Sequence, residues 1–194
     1  PTIIEFFGMP GSGKTHAAKI FKKILKKRKK QFICRDEFIH TGKNNFFKRY
    51  KAIVFLLIYL LIFKPLIFLR VIKLVFVSSQ IKFNYNFNLI VNLLCILGWY
   101  ERAKNLKFNR DLLSITDQGI FQAIWSILYS SRISFNFLKN VSKDLFNYDL
   151  ILICVNCNRN LAAKRVDNRG TNTTRLYKKN YQQEWSKAEK TFLE

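Results

Sequence analysis

Apolar positions along the chain alternate between short β-branched or aromatic runs and longer stretches at helical spacing. Residues 2–7 (Thr-Ile-Ile-Glu-Phe-Phe) stop at Gly8 and predict a buried first strand. From Ala17 the apolar residues fall at Ala17, Ile20, Phe21, Ile24 and Leu25, with Lys19, Lys22, Lys23, Lys26 and Lys27 opposite them, so an amphipathic helix is expected after the glycine loop. Residues 31–34 predict a second short strand, closed by the polar triplet Arg35-Asp36-Glu37. Between about 44 and 107 the pattern is helical, with breaks expected at Lys64-Pro65 and near 78–84, hence three helices. Residues 111–116 read as a third strand ending in Asp117-Gln118-Gly119, followed by an apolar helix to Tyr129. A fourth strand is expected over 150–155, followed by a basic stretch from Arg159 to Arg175 and a C-terminal helix. This order predicts an α/β fold, a three-layer αβα arrangement with a parallel sheet, carrying a largely helical insertion between the second and third strands. Ligands of such sheets bind outside the carboxyl ends of the strands, and each polar cluster named above falls on that edge.

At 194 residues the chain fits one domain, 1–194, with a core that needs no disulfides or metals. Lys and Arg total 34 against 12 Asp and Glu, a net charge of +22 that points toward phosphate, nucleic acid or an anionic membrane. The chain is also rich in Asn, Ile, Phe and Tyr, the residues of AT-rich codons, so part of the lysine excess reflects codon bias; with no recognition motif, a nucleic-acid partner is not expected. Cys34, Cys95, Cys154 and Cys157 form no regular framework, and Cys154 and Cys157 read as strand-end residues rather than half of a zinc site. No secretory signal is visible, so the expected location is cytoplasmic. The chain opens on Pro1, and its last residues read as helix with no closing strand, so a truncated C-terminus is expected.

The strongest chemical signal is Gly8-Met9-Pro10-Gly11-Ser12-Gly13-Lys14-Thr15, which follows a strand and opens a helix. G-x-x-x-x-G-K-T is the P-loop pattern: its glycines let successive amides turn inward on a phosphate, and the helix N-terminus adds a favourable dipole. Gly8, Pro10, Gly11, Ser12, Gly13, Lys14, Thr15 and His16 are therefore expected to hold ATP or GTP. Lys14 is expected in a solvent-facing phosphate site, and the Thr15 hydroxyl on Mg2+. Asp117, at a strand end, is the candidate magnesium-organising acid; it also suits a helix N-cap. Arg159, Lys164, Arg165, Arg169 and Arg175 surround Gly170-Thr171-Asn172-Thr173-Thr174, a composition suited to a lid over 159–175 whose Arg165, Arg169 and Arg175 neutralise transferred charge.

On these motifs the chain resembles the nucleoside and nucleoside-monophosphate kinase group of P-loop phosphotransferases, which includes thymidylate kinase and the deoxynucleoside kinases. The order of parts agrees: P-loop, acids after the second strand (Asp36, Glu37), helical substrate region, an acid-led strand end (Asp117) and an arginine-rich lid. The resemblance implies a P-loop NTPase fold and an ATP-dependent kinase of a small molecule, with Asp36 or Glu37 addressing the acceptor. Between these two, Asp36 is favoured, because neighbours in an extended chain face opposite ways and the shorter side chain is held more tightly. Where the group carries Asp-Arg or Glu-Arg-Ser, this chain has Asp117-Gln118-Gly119, with Gln122 one turn on; Arg132 is the candidate replacement for the absent arginine. A membrane- or partner-associated NTPase switch is the second reading that this departure supports.

Residues 52–63 are uninterruptedly apolar, and apolar character resumes after Lys64-Pro65 to Val77, with Arg70 and Lys73 inside it. Each run is shorter than the roughly 20 residues of a membrane span, so a buried helix is the default reading. The flanking Lys48, Arg49, Lys51 and Arg70 leave an interfacial hairpin on an anionic membrane, through 52–77, as the alternative.

Overall fold

Strand β1 (Thr2–Phe7) lies inside a four-stranded parallel sheet of order β2–β3–β1–β4, where β2 is Phe32–Cys34, β3 is Leu113–Thr116 and β4 is Leu150–Cys154. The structure is a computed structural model that describes residues 2–39, 46–77, 83–106, 112–130, 148–168 and 186. Ile4 sits opposite Ile115 on one side and Ile151 on the other, and Ile33 of β2 pairs with Ser114 of β3. Alternate residues of a strand face opposite sides of the sheet. Accordingly Ile4 and Phe6 pack against Ala18 and Leu25 of helix α1 (Lys14–Lys27), whereas Ile3 joins the larger core on the other face.

Helix α1 forms as its spacing predicts, but its buried stripe is not the expected one. Lys14, Ala18, Phe21 and Leu25 turn inward, and Ile20 and Ile24 are left on the exposed side. The helix begins at Lys14, directly on the glycine loop, so the loop sets its rotational phase.

The opposite face is built around α5 (Phe83–Asn105), whose residues from Leu93 to Tyr100 are all buried. Over it lie α3 (Phe46–Phe63) and α4 (Pro65–Val77), and α6 (Ile120–Ser130) runs alongside. The expected break at Lys64-Pro65 is present: proline has no N–H to lose at the first turn of a helix, and α3 and α4 meet there at a bend of 114°. No single helix among the described residues is long and apolar enough to cross a membrane, although the bent pair reaches that threshold together. A Cβ on Gly98 would lie 2.3 Å from the Leu56 carbonyl oxygen, so the α3 and α5 backbones touch and only glycine fits.

Other boundaries moved. The strands begin at Phe32 and Leu113 rather than at 31 and 111, and the Arg35-Asp36-Glu37 triplet opens a short helix, α2 (Arg35–Ile39), rather than a strand-end loop. The basic stretch begins as helix α7 (Arg159–Asp167), N-capped by Asn158, whose side chain accepts from the Asn160 amide at 2.8 Å.

The connection from β1 to β2 passes over β3, and the connection from β3 to β4 passes over β1. Neighbouring strands therefore send their chains in opposite directions, and this opens a crevice at the carboxyl ends of β1 and β3.

Candidate functional site

The turn leaving β1 enters that crevice. Gly11 and Gly13 take φ of 81° and 100°, a region L-residues rarely adopt, and Gly13 caps α1 with no side-chain hydrogen bond. Gly11 is further restricted by α7, because a Cβ there would lie 2.3 Å from the Ala162 carbonyl oxygen. The Ser12 amide donates to the Met9 carbonyl, while the Ser12 hydroxyl is buried without a partner. Lys14 is not solvent-facing as expected. It is 8% exposed, and its ammonium donates to the Gly8 and Met9 carbonyls at 2.7 and 2.9 Å, closing the loop on itself. Pro10 lies in the turn, and His16 is exposed in the first turn of α1.

Across the crevice the end of β3 presents Asp117. The Thr15 hydroxyl donates to its Oδ2 at 3.3 Å, so two residues separated by 102 positions in the chain meet here. Asp36 joins them from α2. Burial, and then the neighbouring Asp117 carboxylate, push Asp36 up to about 7. Glu37 points elsewhere: its side chain is 62% exposed and pairs with Lys22 at 3.5 Å. Of the two neighbours, Asp36 is therefore the one that lies in the crevice. The expected strand-like alternation is not the cause, since both residues are helical and about 100° apart around α2.

The arginine beside Asp117 comes from a residue the sequence reading passed over. Arg35, buried, donates to the Gln118 carbonyl at 2.8 Å and to Asn92 Oδ1 at 2.7 Å, and its Nε has no partner. The only sequence signal was its place in the polar triplet; nothing local linked it to Asn92 or Gln118. Arg132 lies outside the described residues. A cleft of about 850 Å3 opens from Thr15, Asp36 and Asp117 past Arg35 and Arg49 to Asn88 and Asn92 of α5. Of the expected lid, Arg165 is placed at the loop, donating to the Gly11 carbonyl at 3.3 Å, whereas Arg159 lies at the start of α7. Arg169, Arg175 and residues 170–174 lie outside the described residues.

Behind the crevice sits a buried carboxylate that the strand pattern concealed. Glu5 of β1 is fully buried; it accepts from the Phe121 and Gln122 amides at the start of α6, at 2.8 and 3.3 Å, and from the Tyr100 hydroxyl at 3.0 Å. Burial raises it to about 7, against the lowering effect of these hydrogen bonds. Gly119 allows the arrangement, since a Cβ there would lie 2.3 Å from both Glu5 Cδ and Tyr100 Oη. The Asp117-Gln118-Gly119 turn is therefore seated directly on Glu5.

All four cysteines are free, and among the described residues no group of three or more His, Cys, Asp or Glu could by itself hold a metal. Thr15, Asp36 and Asp117 are nevertheless hard oxygen donors at one point, which is the donor set Mg2+ takes when phosphate supplies its remaining ligands. The fold and site define an α/β protein with a parallel sheet and a glycine-rich loop at its carboxyl edge. No protein-family model matches the chain, and no curated protein matches its sequence.

Proposed function

We propose that the loop from Gly8 to Thr15 is a P-loop that binds the phosphates of ATP or GTP, and that the protein is a phosphotransferase acting on a small molecule held in the adjoining cleft. The observation that carries the reading is the meeting of Thr15 with Asp117, beside Asp36 and under a glycine loop with left-handed Gly11 and Gly13. The Ser12 hydroxyl is a buried donor available to a phosphate oxygen. Lys14, which holds the Gly8 and Met9 carbonyls, is placed to exchange those partners for phosphate oxygens. Mg2+, held by Thr15 and Asp117, would offset charge on the phosphates. Arg165, over Gly11, approaches the same phosphates from the other side. Asp36 accepts the proton or orients the hydroxyl of an acceptor in the cleft, where Arg35 Nε is an unused donor.

Two measurements test this. Lys14→Ala should abolish binding of a fluorescent ATP analogue; undiminished binding overturns the P-loop. Acceptor-stimulated ATP consumption, screened over nucleosides, nucleotides and sugars, should identify one active class. A nucleotide-hydrolysing switch is the second reading, favoured by Asp117-Gln118-Gly119 with no arginine; it predicts ATP consumption that no acceptor changes.

A further inference from the structure

Helix α3 is apolar on both sides, and its wholly buried residues lie on one of them. Ala52, Leu56 and Leu60 recur every four residues and are buried against the core, with Leu56 and Leu60 wholly so. The outer stripe carries Phe47, Tyr50, Ile58, Leu61 and Ile62, with Ile62 at 67% exposure, while Phe55 at its edge packs on Phe38 of α2. Helix α4 repeats the pattern: Val71 is buried, while Leu66 and Leu69 lie outside beside Arg70 and Lys73. Such a contiguous apolar face is costly in water and marks a docking surface.

Charge says what covers it. Helices α3 and α4 and the Lys64 break between them carry Lys48, Lys51, Lys64, Arg70 and Lys73, Arg49 being turned to the cleft, and the sequence has no acidic residue between Glu37 and Glu101. A second copy of the chain placed face to face would oppose cations with no carboxylate to meet them. An anionic lipid surface offers both what the apolar stripe needs and what the cations need. We propose that the bent α3–α4 pair docks on an anionic membrane, with its corner, at Leu61, Ile62, Phe63, Leu66 and Leu69, seated at the level of the acyl boundary.

The geometry favours lying on the membrane over crossing it. At about 1.5 Å per residue, α3 extends roughly 27 Å and α4 roughly 20 Å. They meet at 114°, and straightening them would strip Leu56, Leu60 and Val71 from the core and part the α3–α5 contact at Gly98. From the corner, Lys51 stands about 16 Å back along α3 and Arg70 about 6 Å along α4, so the cations reach headgroups while the corner inserts.

The test is sedimentation of the full chain with vesicles of phosphatidylcholine alone and with about 30% phosphatidylserine. Binding should require the anionic lipid and weaken at least about tenfold when salt rises from roughly 0.1 to 0.5 M. Ile62→Glu and Leu66→Glu, at exposed positions, should each reduce binding at least about tenfold with an unchanged melting temperature and unchanged ATP-analogue affinity. Arg70→Ser with Lys73→Ser should reduce binding to anionic vesicles only. Failure to sediment with any vesicle, or equal sedimentation of the Glu variants, overturns the proposal. So does a wild-type dimer that Ile62→Glu dissolves, or an acidic protein that competes for the face in the absence of lipid binding. Loss of ATP-analogue binding in Lys14→Ala tests the nucleotide site separately, and vesicle binding should survive that change.

Discussion

Replacing Glu5 by Gln should stabilise the protein above neutral pH while leaving it nearly unaffected near pH 4.5. Glu5 is fully buried, and burial raises its carboxyl from 4.5 to about 7. The native state therefore holds this proton over a pH range in which the unfolded chain has released it, and stability falls as pH rises from about 4.5 to about 7. At about 1.4 kcal/mol per unit, the loss attributable to Glu5 is at most about 3–4 kcal/mol. Gln keeps the acceptor for the Phe121 amide and offers its own amide to the Tyr100 hydroxyl, without a charge to desolvate. Asp36, raised to about 7 by burial and by Asp117, tilts the wild-type curve the same way, so the difference between wild type and Glu5→Gln isolates Glu5. Urea unfolding of both proteins at half-unit steps from about pH 4.5 to 8.5 measures it. A difference that does not change with pH would mean that Glu5 ionises normally, and the reasoning from burial would be wrong.

Gly119→Ala should cost about 1–3 kcal/mol, because its methyl group must displace Glu5 or Tyr100; under the proposed function it should also weaken magnesium-dependent nucleotide binding by moving Asp117, as calorimetry with and without Mg2+ would detect. Under the proposed function, Asp36→Asn removes acceptor phosphorylation and leaves ATP binding near normal, while Glu37→Gln changes neither; the reverse result would transfer the role to Glu37. Arg165→Ala should lower turnover more than nucleotide affinity; equal losses would make it a simple binding group.

Local pattern determined a good deal. The first strand stopping at Gly8, the helix fed by the glycine loop, the break at Lys64-Pro65 and the strand ending at Thr116 each depend on short-range chemistry, and each is present. A glycine-rich turn between strand and helix needs no distant partner to be recognised, and strands of a parallel sheet deliver their carboxyl ends to one edge whatever their order. Side-chain direction was a different matter. Ile20 and Ile24 fit an apolar stripe by spacing yet face solvent, because the loop fixes the rotation of α1. Asp36 and Glu37 are adjacent and chemically alike, and only the packing of α2 turns one to Asp117 and the other to Lys22. Arg35 carried no signal beyond its place in the polar triplet, and Glu5 none of its own. One needed Gln118 and Asn92, 83 and 57 residues away, and the other needed Tyr100, 95 residues away, brought in by the fold. The apolar run in α3 showed that the helix would be buried on some side, but spacing cannot assign sides to a helix that is apolar all round. Tertiary packing against α5 decided that Leu56 is core and Ile62 is surface.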